Sequence, residues 1–107
     1  SIITALGNDY GFEHCFSRQV SALGVAGDVL IAMSTSGNSE NILRAAGAAR
    51  ELDMKVIGFT GQGGGTLGSL VDALFAVPAI RTARIQEVHE ICLHALAEAI
   101  EENLMQQ

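Results

Sequence analysis

The sequence predicts an α/β fold, a three-layer sandwich in which a parallel sheet is flanked by helices. Apolar segments of strand length alternate along the chain with segments whose apolar residues recur at helical spacing. The strand-like segments are continuous apolar runs such as VLIAM at 29–33, which is typical of parallel strands buried on both faces. No linker, repeat or low-complexity tract interrupts the alternation, so the chain is predicted to be one compact unit.

The elements are assigned from these patterns in chain order. The predicted strands are 2–6, 29–33, 55–60 and 73–77. The predicted helices are 12–23, 39–52, a short piece at 66–70, and 81–104. The segment GQGGG at 61–65, called the glycine turn below, has the composition of a phosphate loop but lacks the GxGxxG spacing, and we predict a flexible turn.

Composition and charge exclude several classes of function. The chain of 107 residues is long enough for one domain with a single core, and 49% of it is hydrophobic. Its formal net charge of -6 and its 6 scattered Lys and Arg residues argue against binding nucleic acid. The apolar runs are too short to span a membrane, and we expect no secretory signal because no basic segment followed by an apolar run is present near residue 1. Cys15 and Cys92 lack metal or redox spacing, so we expect two reduced thiols in a cytoplasmic protein.

The segment STSGNS at 34–39, called the serine loop below, is richer in hydrogen-bonding groups than a turn requires. It follows a predicted strand and precedes a predicted helix, where open α/β sheets bind ligands. Ser34, Thr35, Ser36 and Ser39 supply hydroxyl groups, and Gly37 lets the backbone approach a ligand. An ordinary helix N-cap with a polar turn accounts for one or two of these residues but not for four hydroxyls. We therefore predict a sugar-phosphate site held by neutral donors.

Longer stretches of the sequence resemble a known family. GDVLIAMSTSGNSENILRAAGAARELDMKVIGFTG, at 27–61, resembles the sugar isomerase (SIS) domain family, which has a flavodoxin-like fold. The segments at 5–24, 63–65 and 82–102, the last containing RIQEVH, narrow the resemblance to the phosphoheptose isomerases. Those enzymes convert sedoheptulose 7-phosphate to D-glycero-D-manno-heptose 7-phosphate for the lipopolysaccharide core. The resemblance therefore implies an aldose–ketose isomerase.

The resemblance also implies roles for individual residues. Those implied to contact substrate are Asn8, Asp9, Ser34, Thr35, Ser36, Ser39 and Gln86. Gln86 is implied to bind a zinc ion as well, and His94 to be a zinc ligand and an acid–base group, so both are candidate catalytic residues at the reacting end of the sugar. By themselves the residues leave alternatives open, since Asp9 could equally form a turn at a strand end. Neither does the pattern choose between His89 and His94, because both lie beside apolar residues on the last predicted helix.

The family pattern includes parts that these 107 residues do not contain. Members have N-terminal helices, a first strand with a GNGGS loop, and a helix whose His and Glu complete the zinc site. Residues 1–107 are therefore expected to be a single SIS domain lacking its N-terminal helices and first strand. Gln86 and His94 alone leave a four-coordinate zinc ion two ligands short.

Two other functions compete with the isomerase. One branch of the subgroup is a non-catalytic regulator that binds the replication initiator DnaA, and other SIS modules sense phosphosugars. The regulator branch lacks a His at the position of His94, so the presence of His94 favours an enzyme. The apolar stripe of the last predicted helix is wider than a surface helix needs, which predicts a homo-oligomer (dimer or tetramer).

Overall fold

The computed structural model describes residues 12–106, which form three longer helices and three strands. The helices are α1 (Cys15–Leu23), α2 (Glu40–Glu51) and α3 (Thr82–Met105). The strands are β1 (Val29–Met33), β2 (Lys55–Thr60) and β3 (Ala73–Ala76). Short 3-10 helices lie at Phe12–His14 and Thr66–Ser69. The predicted strand at 2–6 lies outside the described residues.

The three described strands form one parallel sheet in the order β1-β2-β3. Val29 pairs with Lys55 and Met33 with Phe59, while Thr60 pairs with Ala76. The carboxyl ends of all three strands therefore lie at one edge, and the loops that follow them are brought together there. The parallel sheet predicted from alternating strands and helices is confirmed.

Helices pack on both faces of this sheet. Successive strand residues point to opposite faces, so Val56 and Phe59 of β2 lie on different sides. Val56 packs in a buried cluster with Ala46 and Ala49 of α2. On the other face, the ring of Phe59 contacts the imidazole of His89 from α3. The three predicted layers are thus α2, with α1 packed on it, then the sheet, then α3.

Burial of the strands differs from what the apolar runs predict. Only β2 of the three described strands is buried along most of its length. Val29 in β1 is 54% exposed and Phe75 in β3 is 47% exposed, because these two strands are the edges of the described sheet. A continuous apolar run therefore marks a strand of a parallel sheet but does not say whether the strand has neighbours on both sides.

No helix formed by residues 12–106 combines the length and the apolar character needed to cross a bilayer.

Gly47 offers a direct test of helix stability. It lies inside α2, and a Cβ atom added to it would meet no other atom within 4 Å. Because glycine in a helix interior costs backbone entropy, we expect Gly47→Ala to raise the free energy of unfolding by about 0.5–1 kcal/mol. Urea denaturation of the variant measures this change. Gly24→Ala is the contrasting variant, since its Cβ would lie 2.6 Å from Sδ of Met54, and it is expected to destabilise. A Gly47→Ala protein less stable than the parent contradicts the argument.

Candidate active site

A cleft of about 390 Å³ lies at the carboxyl end of β1, between the serine loop and α3. One wall is formed by the end of β1 and the serine loop, through Met33, Ser34, Thr35 and Ser39. The other wall is formed by α3, through Gln86, His89, Glu90 and Leu93. The structure thus brings together four residues that the resemblance implies contact substrate, namely Ser34, Thr35, Ser39 and Gln86.

The hydroxyl groups of the serine loop differ in their hydrogen bonds and in their exposure. The buried hydroxyl of Ser34 accepts a hydrogen bond from the Gly37 N–H at 3.1 Å. It also shares a hydrogen bond with the Ser39 hydroxyl at 2.9 Å. Ser34 therefore closes the loop on itself, and its backbone N–H ties the loop to β2 by donating to the Phe59 carbonyl at 2.9 Å. Thr35 and Ser39 are left as the more open hydroxyl groups at the mouth of the cleft.

Of the other predicted substrate contacts, only Ser36 belongs to the described residues. Ser36 is exposed, does not line the cleft, and uses its hydroxyl oxygen to accept a hydrogen bond from the Asn38 N–H at 3.1 Å. Asn8 and Asp9 lie outside the described residues. Their assignment to the substrate site stays a prediction.

The glycine turn and the 3-10 helix that follows it (Thr66–Ser69) pack against the serine loop. Gly37 has a φ of 71°, and a Cβ on it would lie 2.1 Å from the Gly64 carbonyl oxygen. Thr35 and Gly37 accept hydrogen bonds through their carbonyls from the N–H groups of Gly61 at 2.9 Å and Leu67 at 2.8 Å. The turn predicted at 61–65 is present, and it is packed against the serine loop. Its role is to hold the shape of the loop.

The start of α2 favours an anion. Its first N–H groups have no partner inside the helix, and the helix dipole is positive there. The ordinary capping alternative would direct the side chain of Ser39 or Asn38 at these groups. Ser39 occupies the N-cap position but makes no side-chain cap, and the Asn38 side-chain oxygen accepts instead from the Thr66 N–H at 2.9 Å. No side chain of Asn38 or Ser39 thus occupies the start of α2, which leaves it available to a phosphate.

The second wall is one face of α3. His89, Glu90 and Leu93 follow Gln86 by three, four and seven residues, which places all four on one side of a helix. Sequence reasoning left His89 open and did not select Glu90 or Leu93, although this spacing from Gln86 was the available signal. His94 is offset from Gln86 by roughly 80° around the helix axis. It is exposed and does not line the cleft, so its implied role stays a prediction.

The described residues do not fit a zinc ion by themselves. Among residues 12–106, no group of three or more His, Cys, Asp and Glu side chains lies close enough together to hold a metal ion. Gln86 would supply an amide oxygen and His94 an imidazole, whereas protein zinc sites use three or four strong ligands. Zinc therefore stays a prediction from the resemblance.

The combination of groups in the cleft suits a polar, phosphorylated ligand. The serine-loop wall supplies hydroxyl groups and a helix start, while the α3 wall supplies an amide, an imidazole and a carboxylate. The first set has the donors that an anion needs, and the second set can hydrogen-bond hydroxyl groups and exchange protons with them.

Comparison with known proteins agrees with this description. Residues 1–61 match the SIS domain family. The chain is 55% identical over 108 residues to a phosphoheptose isomerase from Bordetella avium, which covers 98% of this chain and 55% of the relative. It is 52% identical over 109 residues to a phosphoheptose isomerase from Neisseria gonorrhoeae, and this match covers 99% of this chain and 55% of the relative. The chain thus spans about half the length of these relatives.

Solved structures give the same result for the fold. A phosphoheptose isomerase from Neisseria gonorrhoeae superposes with a TM-score of 0.91 and 53% identity, over 94% of this chain and 56% of that one. A phosphoheptose isomerase from Francisella tularensis gives a TM-score of 0.91 and 45% identity, over 94% of this chain and 55% of that one. The predicted SIS-type α/β fold is confirmed. With more than half of its residues matching the family, this chain belongs to the SIS domain family.

Proposed function

We propose that the protein containing this chain is a phosphoheptose isomerase that converts sedoheptulose 7-phosphate to D-glycero-D-manno-heptose 7-phosphate. The observation that carries the proposal is the cleft, in which the serine loop faces the Gln86 side of α3. The loop suits a phosphate, and the facing wall carries polar side chains that can hydrogen-bond the hydroxyl groups of a sugar. The names of the relatives described above support the same substrate.

In this proposal the phosphate binds at the serine loop. Thr35 and Ser39 donate hydrogen bonds from their hydroxyl groups, and the first N–H groups of α2 face the charge. No Lys or Arg lines the cleft in the described part of the chain, so the site holds its phosphate with neutral donors and the helix dipole. Ser34 keeps the loop closed so that these donors converge.

The sugar end lies along α3 in this proposal. Aldose–ketose isomerisation moves one proton between adjacent carbons and another between their oxygens, so the reacting carbons must be held still beside an acid–base group. Gln86 is proposed to orient the hydroxyl and carbonyl oxygens through its side-chain amide. His94 is proposed from the resemblance as the acid–base group. It follows Glu90 of the cleft wall by four residues and lies beside that wall on α3.

The same resemblance and the surface of α3 support a homo-oligomer. Ile100 and Leu104 of α3 lie four residues apart, and so on one face of the helix, and both are exposed, which is costly for a helix facing only water. We propose that a second copy of the chain covers this face. Cys15 and Cys92 lack metal or redox spacing, which suits a protein of the reducing cytoplasm, where we place the enzyme.

Turnover of sedoheptulose 7-phosphate by the complete protein tests the activity. Gln86→Ala is expected to lower kcat/KM by about 10–100-fold, since a polar contact to a reacting substrate is lost. His94→Ala is expected to reduce kcat by at least about 100-fold if it transfers a proton. Gln106→Ala, at the exposed end of the same helix, is the control and should leave both constants unchanged.

The outcomes separate the competing functions. Turnover by the parent protein and its loss in the Gln86 and His94 variants support the isomerase. A parent protein that binds the phosphosugar without converting it would instead be a sensor or a regulator, and the proposed activity would be wrong.

A further inference from the structure

His89 is the most deeply buried polar side chain in the wall of the cleft. It is 2% exposed, and its Nε2 lies 2.7 Å from the Thr60 carbonyl oxygen. That oxygen also accepts a hydrogen bond from the Val77 N–H at 3.0 Å. A carbonyl oxygen can only accept, so Nε2 must carry the hydrogen and donate it. The contact with Thr60 therefore fixes the tautomer of the imidazole.

The other ring nitrogen of His89 has no hydrogen-bond partner among residues 12–106. The Thr60 contact is its only hydrogen bond to the described residues. Among residues 12–106, no side-chain nitrogen or oxygen is sealed in the interior without a hydrogen-bond partner. Nδ1 is therefore not sealed in the interior, and since His89 lines the cleft, we infer that Nδ1 is open to it. In the neutral ring with hydrogen on Nε2, Nδ1 is a lone-pair acceptor.

Both walls of the cleft are attached to neighbouring carbonyl groups of β2. The Ser34 N–H donates to the Phe59 carbonyl at 2.9 Å, and His89 donates to the Thr60 carbonyl at 2.7 Å. The ring of His89 also rests against the ring of Phe59, with centroids 5.6 Å apart. The span between the serine loop and Nδ1 of His89 is therefore set by the buried strand and not by a mobile side chain.

We propose that Nδ1 of His89 accepts a hydrogen bond from a hydroxyl group of the bound sugar and so fixes the direction and reach of the phosphosugar in the cleft. This proposal rests on the proposed function. A fully ionised phosphate has no hydrogen to donate, so it is matched to the serine loop and not to His89. The hydroxyl-bearing carbons then lie along α3, beside Gln86. His89 acts as a substrate-positioning residue, with no proton transferred to it.

The alternative is a purely structural role, in which His89 only donates a hydrogen bond to the Thr60 carbonyl. Two substitutions separate the roles because each keeps one end of the imidazole. His89→Gln retains a donor near the ε position, which preserves the contact with Thr60, and removes the acceptor at the δ position. His89→Asn retains an acceptor near the δ position but leaves the Thr60 carbonyl without its second donor.

Kinetics of the complete protein provide the first test. We expect His89→Gln to have a melting temperature close to that of the parent and a KM for sedoheptulose 7-phosphate raised about tenfold. The inhibition constant of inorganic phosphate should not change, because the serine loop is intact. His89→Asn should melt at a lower temperature. An unchanged KM in a folded His89→Gln protein overturns the proposal and leaves His89 with a structural role.

A second measurement needs neither a variant nor turnover. Nitrogen NMR of the His89 ring in the parent protein reports Nδ1 and Nε2 separately. Sedoheptulose 7-phosphate is expected to shift the Nδ1 signal and leave Nε2 nearly unmoved, whereas inorganic phosphate alone moves neither. If the Nδ1 chemical shift does not change at a saturating concentration of sedoheptulose 7-phosphate, the proposed contact is refuted. A shift of Nδ1 in a protein with no turnover keeps the contact and rejects the isomerase activity, so the two proposals fail separately.

Discussion

Replacing Gly37 with alanine is expected to abolish measurable binding of phosphosugar and to lower the free energy of unfolding by about 2–4 kcal/mol. The added Cβ would lie 2.1 Å from the Gly64 carbonyl oxygen, so the serine loop and the glycine turn must separate. The φ of 71° adds the strain of a left-handed conformation, about 1–2 kcal/mol. Calorimetric titration with sedoheptulose 7-phosphate and urea denaturation measure the two effects.

Gly63→Ala is the matched control for this substitution. Gly63 has a φ of 85°, yet a Cβ on it would meet no atom within 4 Å. It should therefore show the backbone strain of about 1–2 kcal/mol and keep phosphosugar affinity near that of the parent. Equal losses of affinity in Gly37→Ala and Gly63→Ala would show that strain, and not contact between the two loops, controls binding.

Phe59→Ala is expected to be the most destabilising truncation among the described core residues, at about 3–5 kcal/mol. The side chain is 1% exposed and forms an edge-to-face contact with Phe75, with centroids 5.2 Å apart. Its loss leaves a cavity under α3 and removes the support of the His89 ring. Chemical denaturation measures the change in stability.

Phe12→Ala provides the comparison, because Phe12 is 65% exposed. Its effect on the free energy of unfolding should stay within about 0.5 kcal/mol. If Phe59→Ala costs no more than Phe12→Ala, the face of the sheet under α3 does not contribute to the core as described.

The sequence predicts the bounds of the strands and helices closely, because the spacing of apolar residues and the positions of turn-forming residues are local signals. The bounds predicted for β1 and β2 are those observed, and α2 lies within one residue of its prediction at either end. The position of the serine loop follows from the same signals, because a loop after a parallel strand must lie at the carboxyl edge of the sheet. Local pattern was therefore sufficient for the first wall of the cleft.

The second wall depends on tertiary structure that no local pattern contains. Helical spacing groups Gln86 with His89 and Glu90, but it cannot say which face of α3 turns toward the serine loop. The choice is made by Phe59 and the Thr60 carbonyl, which hold His89 against β2. Likewise, the glycine composition of 61–65 predicts a turn, whereas its contact with Gly37 joins segments that are distant in the sequence.

The hydrogen bonds that the glycine turn and the 3-10 helix after it make with the serine loop connect residues that are far apart in the sequence. Thr35 is bonded to Gly61, Gly37 to Leu67, and Asn38 to Thr66, which is 28 positions further along the chain. The ligand-binding conformation therefore cannot form in one strand–helix unit alone and requires the next strand and its turn to be docked. A ligand bound at the serine loop therefore also stabilises the pairing of β1 with β2. Ligand binding and the free energy of unfolding of the domain are thermodynamically linked.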